Sequence, residues 1–466
     1  MTDKAFVSVD EIRSAFSSAM SAMYRTEVPA YGTLMDLVTR VNERVLAADA
    51  RLRERLEQTD SLDRISEERH GAIRLGTPAE LAMMRRVFAV MGMFPVGYYD
   101  LSTAGVPVHS TAFRPVGDVS LKRNPFRVFT SLLRLDLIAD AALRQEAEET
   151  LTKRDIFTPE ARRLVEKAEA QGGLDRADTA SFVNEVLETF RWHDKANVST
   201  DLYKRLHDAH RLVADVVSFK GPHINHLTPR TLDIDAVQLE MPDHGIAPKA
   251  VVEGPPTRKC AILLRQTSFK ALEEEVAFLD AEGGWKVGSH TARFGEIEQR
   301  GVALTPKGRG LYDKLLNDTR ALVRPAGDGS NAREYEAALR QVFAAFPDEW
   351  SEIRQQGLGY FAYSLTDAGK KGSVPGENVD IEALIEAGLV QFDPIVYEDF
   401  LPVSAAGIFQ SNLGDNAAQD FVASPNQQMF ERDLGATVLN EFDHYAQIEK
   451  NSTVACIAQL KRVNAA

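Results

Sequence analysis

A chain of 466 residues, 44% hydrophobic and 26% charged, has an ordinary globular composition and enough length for a large core with two or three structural modules. Its 54 Lys and Arg against 68 Asp and Glu leave a formal net charge of -14, a field that repels DNA, RNA and other phosphate-dominated partners but permits a local basic pocket for a small anion. The opening residues MTDKAFVSVDEIRSAF lack the pattern of a secretory signal, and no run reaches about 18 uncharged apolar residues, so the expected setting is cytoplasmic with no membrane partner.

The first 60 residues read as helices: VDEIRSAFSSAM and then YGTLMDLVTRVNERVLAADARLRERLEQ carry apolar residues at helical spacing. A first β module is expected over 68–132. It opens with a strand over His70–Leu75, followed by a helix that starts at Thr77-Pro78-Ala79-Glu80. That tetrapeptide combines an N-cap, a proline at the first helical position and a capping-box glutamate. Two strands, VGYYDL and VHSTAFRPV, come next. A helical insertion over 133–220 follows. At 221–305 the plan returns as a second β module: HINHLTPR as a strand, DIDAVQLEM as a helix, KAVVEG and KCAILLRQTSF as strands, LEEEVAFLDAEG as a helix, and TARFGEIEQRGVAL as the last strand. The remainder, 306–466, reads as helical and mixed. No flexible linker is visible, so 1–466 is expected to form one interdigitated catalytic unit.

The two cysteines, Cys260 and Cys456, lie in apolar surroundings (CAILL, TVACIAQL), which suits reduced thiols and excludes cysteine-rich zinc and iron–sulfur sites. Gly308-Arg309-Gly310 lacks a dinucleotide-binding context, and no P-loop or nucleophile elbow occurs. Two Glu-x-x-His pairs, Glu67 with His70 and Glu441 with His444, have the spacing that di-iron bundles use on facing helices, but Gly71, Gly76 and Pro78 argue against a long helix through His70. A different set follows from position in the repeated plan. His70 begins the first strand of one module, His226 lies in the first strand of the other, and Glu296 lies in the last strand of the second, on the face shared by Phe294 and Glu298. Two imidazoles and a carboxylate from separate strands could meet on one sheet surface, and such a set holds Fe(II) while leaving positions for substrate and oxygen. The neighbouring His223 is assigned a supporting or surface place. Arg74, four residues from His70, shares its face in an extended strand; it either clamps a substrate carboxylate bidentately or forms an ion pair with a nearby glutamate.

The stretches RHGAIRLGTPAELAMMRRVF, GPHINHLTPRTLDIDAVQ, SHTARFGEIEQRG and FLPVSAAGIF resemble the 2-oxoadipate dioxygenase/decarboxylase family, also called 2-hydroxyglutarate synthase or YdcJ-like, over nearly the whole chain. The resemblance implies an α+β fold related to the vicinal oxygen chelate superfamily, with paired βαβββ modules forming a central curved sheet. It also implies that His70, His226 and Glu296 bind iron and face the substrate. Arg74 would act catalytically by holding a substrate carboxylate, and the main chain around Val403 would help to hold the acid. The implied cofactor is Fe(II), the partners are a dicarboxylic 2-oxo acid and O2, and the reaction converts 2-oxoadipate to 2-hydroxyglutarate and CO2 in lysine degradation. The alternatives are a redox-neutral metal-dependent isomerase or lyase acting on a small 2-oxo acid, and a metabolite-binding protein without activity.

Overall fold

The computed structural model describes residues 6–59, 68–280, 282–326, 329–371, 380–400 and 426–465. Helices Val9–Glu27, Pro29–Ala48 and Ala50–Thr59 open the chain. Their long apolar period is cut at Val28 and at Asp49, so the region expected to be two helices forms three. The strands are β1 (Glu68–Leu75), β2 (Phe94–Asp100), β3 (Val108–Arg114), β4 (Arg127–Leu133), β5 (Lys195–Ser199), β6 (His226–Pro229), β7 (Leu264–Ser268), β8 (Glu273–Leu279), β9 (Trp285–Thr291), β10 (Phe294–Arg300), β11 (Phe361–Leu365) and β12 (Val390–Pro394).

Seven strands form the central sheet in the order β2-β3-β4-β1-β6-β10-β7. The first module is βαβββ: β1, helix Pro78–Val90, β2, β3 and β4, with β4 returning parallel beside β1. The helix begins as its sequence dictates: Thr77 Oγ1 accepts from the Glu80 N–H and the Glu80 carboxylate accepts from the Thr77 N–H. The fourth strand, RVFTSLL, is the one that the βαβββ plan implies but that no stretch of the sequence was assigned to. It is buried throughout, so it shows no polar–apolar alternation.

The second module keeps the order strand, helix, strands but contributes β6, β7 and β10 to the central sheet; β8 and β9 pair with β5 in a three-stranded sheet. Two expectations are corrected here. LEEEVAFLDAEG is not a helix, because Glu273–Leu279 is strand β8, paired along its whole length with β9. Its outward Glu273 and Glu275 alternate with buried Val276 and Phe278, so strand pairing and burial override the helix preference of three glutamates. KAVVEG does not form a strand and holds one isolated bridge, Glu253 to Gln266, with another just before it at Pro248 to Phe269.

Both faces of the central sheet are covered. Ile73 and Leu75 of β1, Leu227 of β6 and Ile297 of β10 pack into the core built by the N-terminal helices around Phe16, Met20 and Leu34. On the opposite face Ala72, Ala112 and Phe129 pack with Leu143, Ala147, Leu206, Leu212 and Val213. The inserted helical region thus supplies the second cover, through helices Ala141–Thr152, Thr200–Ala209 and Arg211–Ser218. Polar side chains on that second face are sealed from water, which is the condition for the site described below.

The chain groups into two compact units, each assembled from three separated segments. One comprises 1–253, 266–299 and 400–439; the other comprises 254–265, 300–399 and 440–466. Two of the boundaries, 265/266 and 299/300, fall inside strands β7 and β10, where no linker composition can mark them. In the second unit β11 and β12 form an antiparallel hairpin, and Leu365, Leu384 and Val390 pack against Cys456 and Leu460 of helix Glu441–Ala465. Among the described residues no helix is long and apolar enough to cross a membrane.

Candidate metal centre

Strand alternation brings the expected ligands together. On β1 the backbone alternates Gly71, Ile73 and Leu75 toward one core and His70, Ala72 and Arg74 toward the other face. Antiparallel pairing of β1 with β6 sets His70 opposite Thr228 and Ala72 opposite His226. Parallel pairing of β6 with β10 sets His226 beside Phe294, and two residues along it sets Thr228 beside Glu296. Gly71 is required for this approach. A Cβ there would lie 2.8 Å from Ile224 Cδ1, 2.9 Å from Leu227 Cδ2 and 3.1 Å from the His226 carbonyl oxygen.

One potential ligand atom from each of His70, His226 and Glu296 lies within 4.8 Å of the others, and this is the one such group among the described residues. Glu296 Oε2 is 3.2 Å from His226 Nε2 and 3.5 Å from His70 Nε2. None of the four imidazole nitrogens has a protein hydrogen-bond partner of acceptable geometry, although all are buried. Unpartnered buried polar atoms cost free energy unless something else satisfies them. Two imidazoles and a carboxylate meet that need by binding a divalent transition metal, so the residues fit the implied group. The other sides of the ligands are secured as well. Glu298 Oε2 stands 2.8 Å from His70 Nδ1, the place from which a carboxylate orients a ligating imidazole, and Thr228 Oγ1 donates to Glu296 Oε2 at 3.3 Å. Phe294 stacks on the His226 ring at 4.7 Å between centroids, and Phe400 meets His70 edge-on at 4.6 Å. Burial, then the nearby His70 and Arg74, push the His226 imidazole well below its ordinary pKa, which keeps the ring neutral and its lone pair available.

Arg74 lies on the face of the ligands, and its Nη1 pairs with Asp215 Oδ2 at 2.5 Å. Among the described residues its ion-pair partner is thus Asp215, an aspartate of the inserted helices. Asp215 Oδ1 is also 2.9 Å from His290 Nε2 and 3.3 Å from His223 Nε2, and Tyr203 Oη lies 2.9 Å from His290 Nδ1. Burial would raise the Asp215 carboxyl, but Arg74 first and then the two histidines outweigh it and hold it well below the usual carboxylate range. Arg74 is thereby fixed in place by a charged partner that stays ionised.

Residues 16–412 match the family model of 2-oxoadipate dioxygenase/decarboxylase. The chain is 59% identical over 456 residues to the 2-oxoadipate dioxygenase/decarboxylase of Pseudomonas putida, covering 98% of both chains. Its identity to the Escherichia coli protein of the same name is 57% over 453 residues, covering 97% of this chain and 98% of that one. This chain belongs to the 2-oxoadipate dioxygenase/decarboxylase family. Among solved structures it superposes with a TM-score of 0.90 and 57% identity on the hydroxyglutarate synthase of Pseudomonas putida in complex with 2-oxoadipate, covering 98% of this chain and 99% of that one.

In this member of the family the structure collects His70, His226, Glu296 and Arg74 on one sheet face, while Val403 lies outside the described residues. His70 sits on a strand, which removes it from the di-iron bundle pattern, and Glu67 is outside the described residues. His223 is 2% exposed and directed at Asp215, so it supports Arg74 and is not a surface residue. Sequence reasoning missed Asp215, His290, Glu298 and Thr228. Two of these left a signal: Glu298 shares the alternation of Glu296, and Asp215 is the single charge inside LVADVVSF.

Proposed function

We propose that this chain is an Fe(II)-dependent dioxygenase that decarboxylates 2-oxoadipate with O2 to give 2-hydroxyglutarate and CO2. The observation that carries the reading is the convergence of the buried His70 and His226 Nε2 atoms on the Glu296 carboxylate, on the strand face that also presents Arg74. His70, His226 and Glu296 would hold the metal from one side. Bound there, ferrous iron would supply the electrons and the Lewis acidity that let O2 react with a 2-oxo acid. The atoms balance: C1 leaves as CO2, one oxygen atom enters the carboxylate formed at the former C2, and the other becomes the new hydroxyl.

The chain's own residues bind, orient and exclude water. Arg74, held by Asp215, offers a guanidinium to the distal carboxylate, and its positive charge offsets the acidic field of the protein where that anion docks. Phe294, Phe400 and Phe129, which packs on Phe400 at 5.0 Å, provide apolar walls around the ligands. The reading includes the main chain around Val403 as a second hold on the acid, and a cytosolic setting in keeping with the two buried free thiols.

The test is oxygen uptake by the iron-loaded protein with 2-oxoadipate, with CO2 and 2-hydroxyglutarate measured in the same vessel. Equimolar O2 consumption and product formation are expected. Turnover of a 2-oxo acid without oxygen uptake would establish the redox-neutral alternative instead.

A further inference from the structure

The last strand of the central sheet carries polar groups that the arrangement above does not use. Gln266 of β7 is 1% exposed, and neither its side-chain oxygen nor its nitrogen has a hydrogen-bond partner; Ser268, also 1% exposed, has an equally unpartnered Oγ. Their direction follows from the pairing of β7 with β10. The Phe269 N–H donates to the Gly295 carbonyl at 3.0 Å, and the Gly301 N–H donates to the Leu263 carbonyl at 2.9 Å. These two bonds run antiparallel and in one register, which sets Ser268 opposite Glu296 and Gln266 opposite Glu298. Opposed residues in such a pair share a face, with Cβ atoms about 4.5–5.5 Å apart. Both side chains therefore stand on the face of the metal ligands.

The sheet can be followed row by row on that face. One row runs His70, Thr228, Glu296 and Ser268 across four strands. Arg74 lies two rows to one side of it, about 13 Å along β1. Gln266 lies one row to the other side, with Glu298. A buried side chain whose hydrogen-bonding groups are all unmade costs roughly 1–3 kcal/mol for each such group. Two donors, the Gln266 amide NH2 and the Ser268 hydroxyl, with the Gln266 amide oxygen beside them, stand next to a metal ligand and await partners.

We propose that Ser268 and Gln266 are the wall that hydrogen-bonds the 2-oxo-carboxylate head of the substrate, so that the acid lies across the site with its reacting end toward β7 and its distal carboxylate toward Arg74 on β1. This inference rests on the 2-oxo acid reading above. The Ser268 hydroxyl and the Gln266 amide N–H groups donate to carboxylate or oxo oxygens of the head. Recognition of the head is then separate from recognition of the tail, and the two ends can be tested independently.

The experiment is calorimetric titration of metal-loaded, oxygen-free protein with 2-oxoadipate and with 2-oxohexanoate, which keeps the head and lacks the distal carboxylate. Gln266→Leu and Ser268→Ala should each weaken both ligands by a similar factor, roughly 10-fold or more, the value of a hydrogen bond to a charged group. Arg74→Ala should weaken 2-oxoadipate and leave 2-oxohexanoate unchanged. Bound metal, measured by elemental analysis, should stay at the wild-type level in the Gln266 and Ser268 variants. Gln266→Leu should also melt at or above the wild-type temperature without ligand, since it removes an unsatisfied amide, and Gln266→Asn gives a second variant that keeps the amide. Unchanged affinity for 2-oxohexanoate in Gln266→Leu and Ser268→Ala would overturn the proposal, and so would a marked loss of stability in Gln266→Leu, which would make the amide structural. If the metal-loaded wild type binds neither acid, the functional reading itself fails and this inference falls with it.

Discussion

Replacing Asp215 with Asn asks how much of the site's order depends on one buried charge. The Asp215 carboxylate faces Arg74, His290 and His223, and the Arg74–Asp215 pair is nearly dry, with side chains 9% and 6% exposed. Asparagine keeps the shape and one acceptor oxygen but removes the negative charge that Asp215 sets against the guanidinium. Breaking a buried pair by removing one partner costs about 3–5 kcal/mol. Because the amide oxygen still accepts, the expected loss is near the lower end, about 3 kcal/mol. Chemical denaturation followed by far-UV circular dichroism should show it as a lower midpoint at pH 7. The pH dependence adds a second check. The folded carboxyl lies well below its ordinary value of 3.8, so its contribution is present above that value and is lost as the pH falls through the still lower folded pKa. The gap between wild type and variant should therefore hold steady from pH 7 to about 4 and narrow only below it. A loss under about 1 kcal/mol, the range of an exposed pair, would refute the claim that Asp215 holds Arg74 by charge.

His70→Ala, His226→Ala and Glu296→Ala should each remove bound iron on elemental analysis and abolish oxygen uptake, whereas His223→Ala should keep its iron, because the His223 Nε2 is directed at Asp215 and not at the ligand cluster. Gly71→Ala should destabilise the protein by about 1–3 kcal/mol and lower its iron content, since the added methyl meets Leu227 and the His226 carbonyl and displaces a ligand strand; a thermal melt and a metal assay read both effects. The metal-free protein should lose stability as the pH falls from about 6.5 toward 4. Burial first, then Arg134, lowers His109 to about 4, and burial first, then Arg74, lowers His210 to about 4, so the unfolded chain takes up protons that the folded chain refuses. Denaturation midpoints that stay flat over that interval would contradict it.

Much of the first module was legible because its signals are local. Thr77, Pro78 and Glu80 specify a helix start through bonds made within four residues, and the period of two in HGAIRL places His70 and Arg74 on one face wherever that strand ends up. The candidate ligands were legible for the same reason: strand position and alternation are properties of short stretches. Elements buried on both sides, or held by pairing, were not. Strand β4 has no polar edge to its pattern, and β8 carries three consecutive glutamates that favour a helix until β9 pairs with them.

Residue types and local periods decided which side chains could serve as ligands, and the match of motifs decided the family. Which partners those ligands meet depended on register. Strand register between β1, β6 and β10 puts His70, Thr228 and Glu296 in one row, and the packing of an inserted helix onto the same sheet face brings Asp215 to Arg74 from 141 residues away in the chain. No local period encodes such a contact, because its free energy comes from burying a charge pair that forms only after the sheet and its helical cover have closed together.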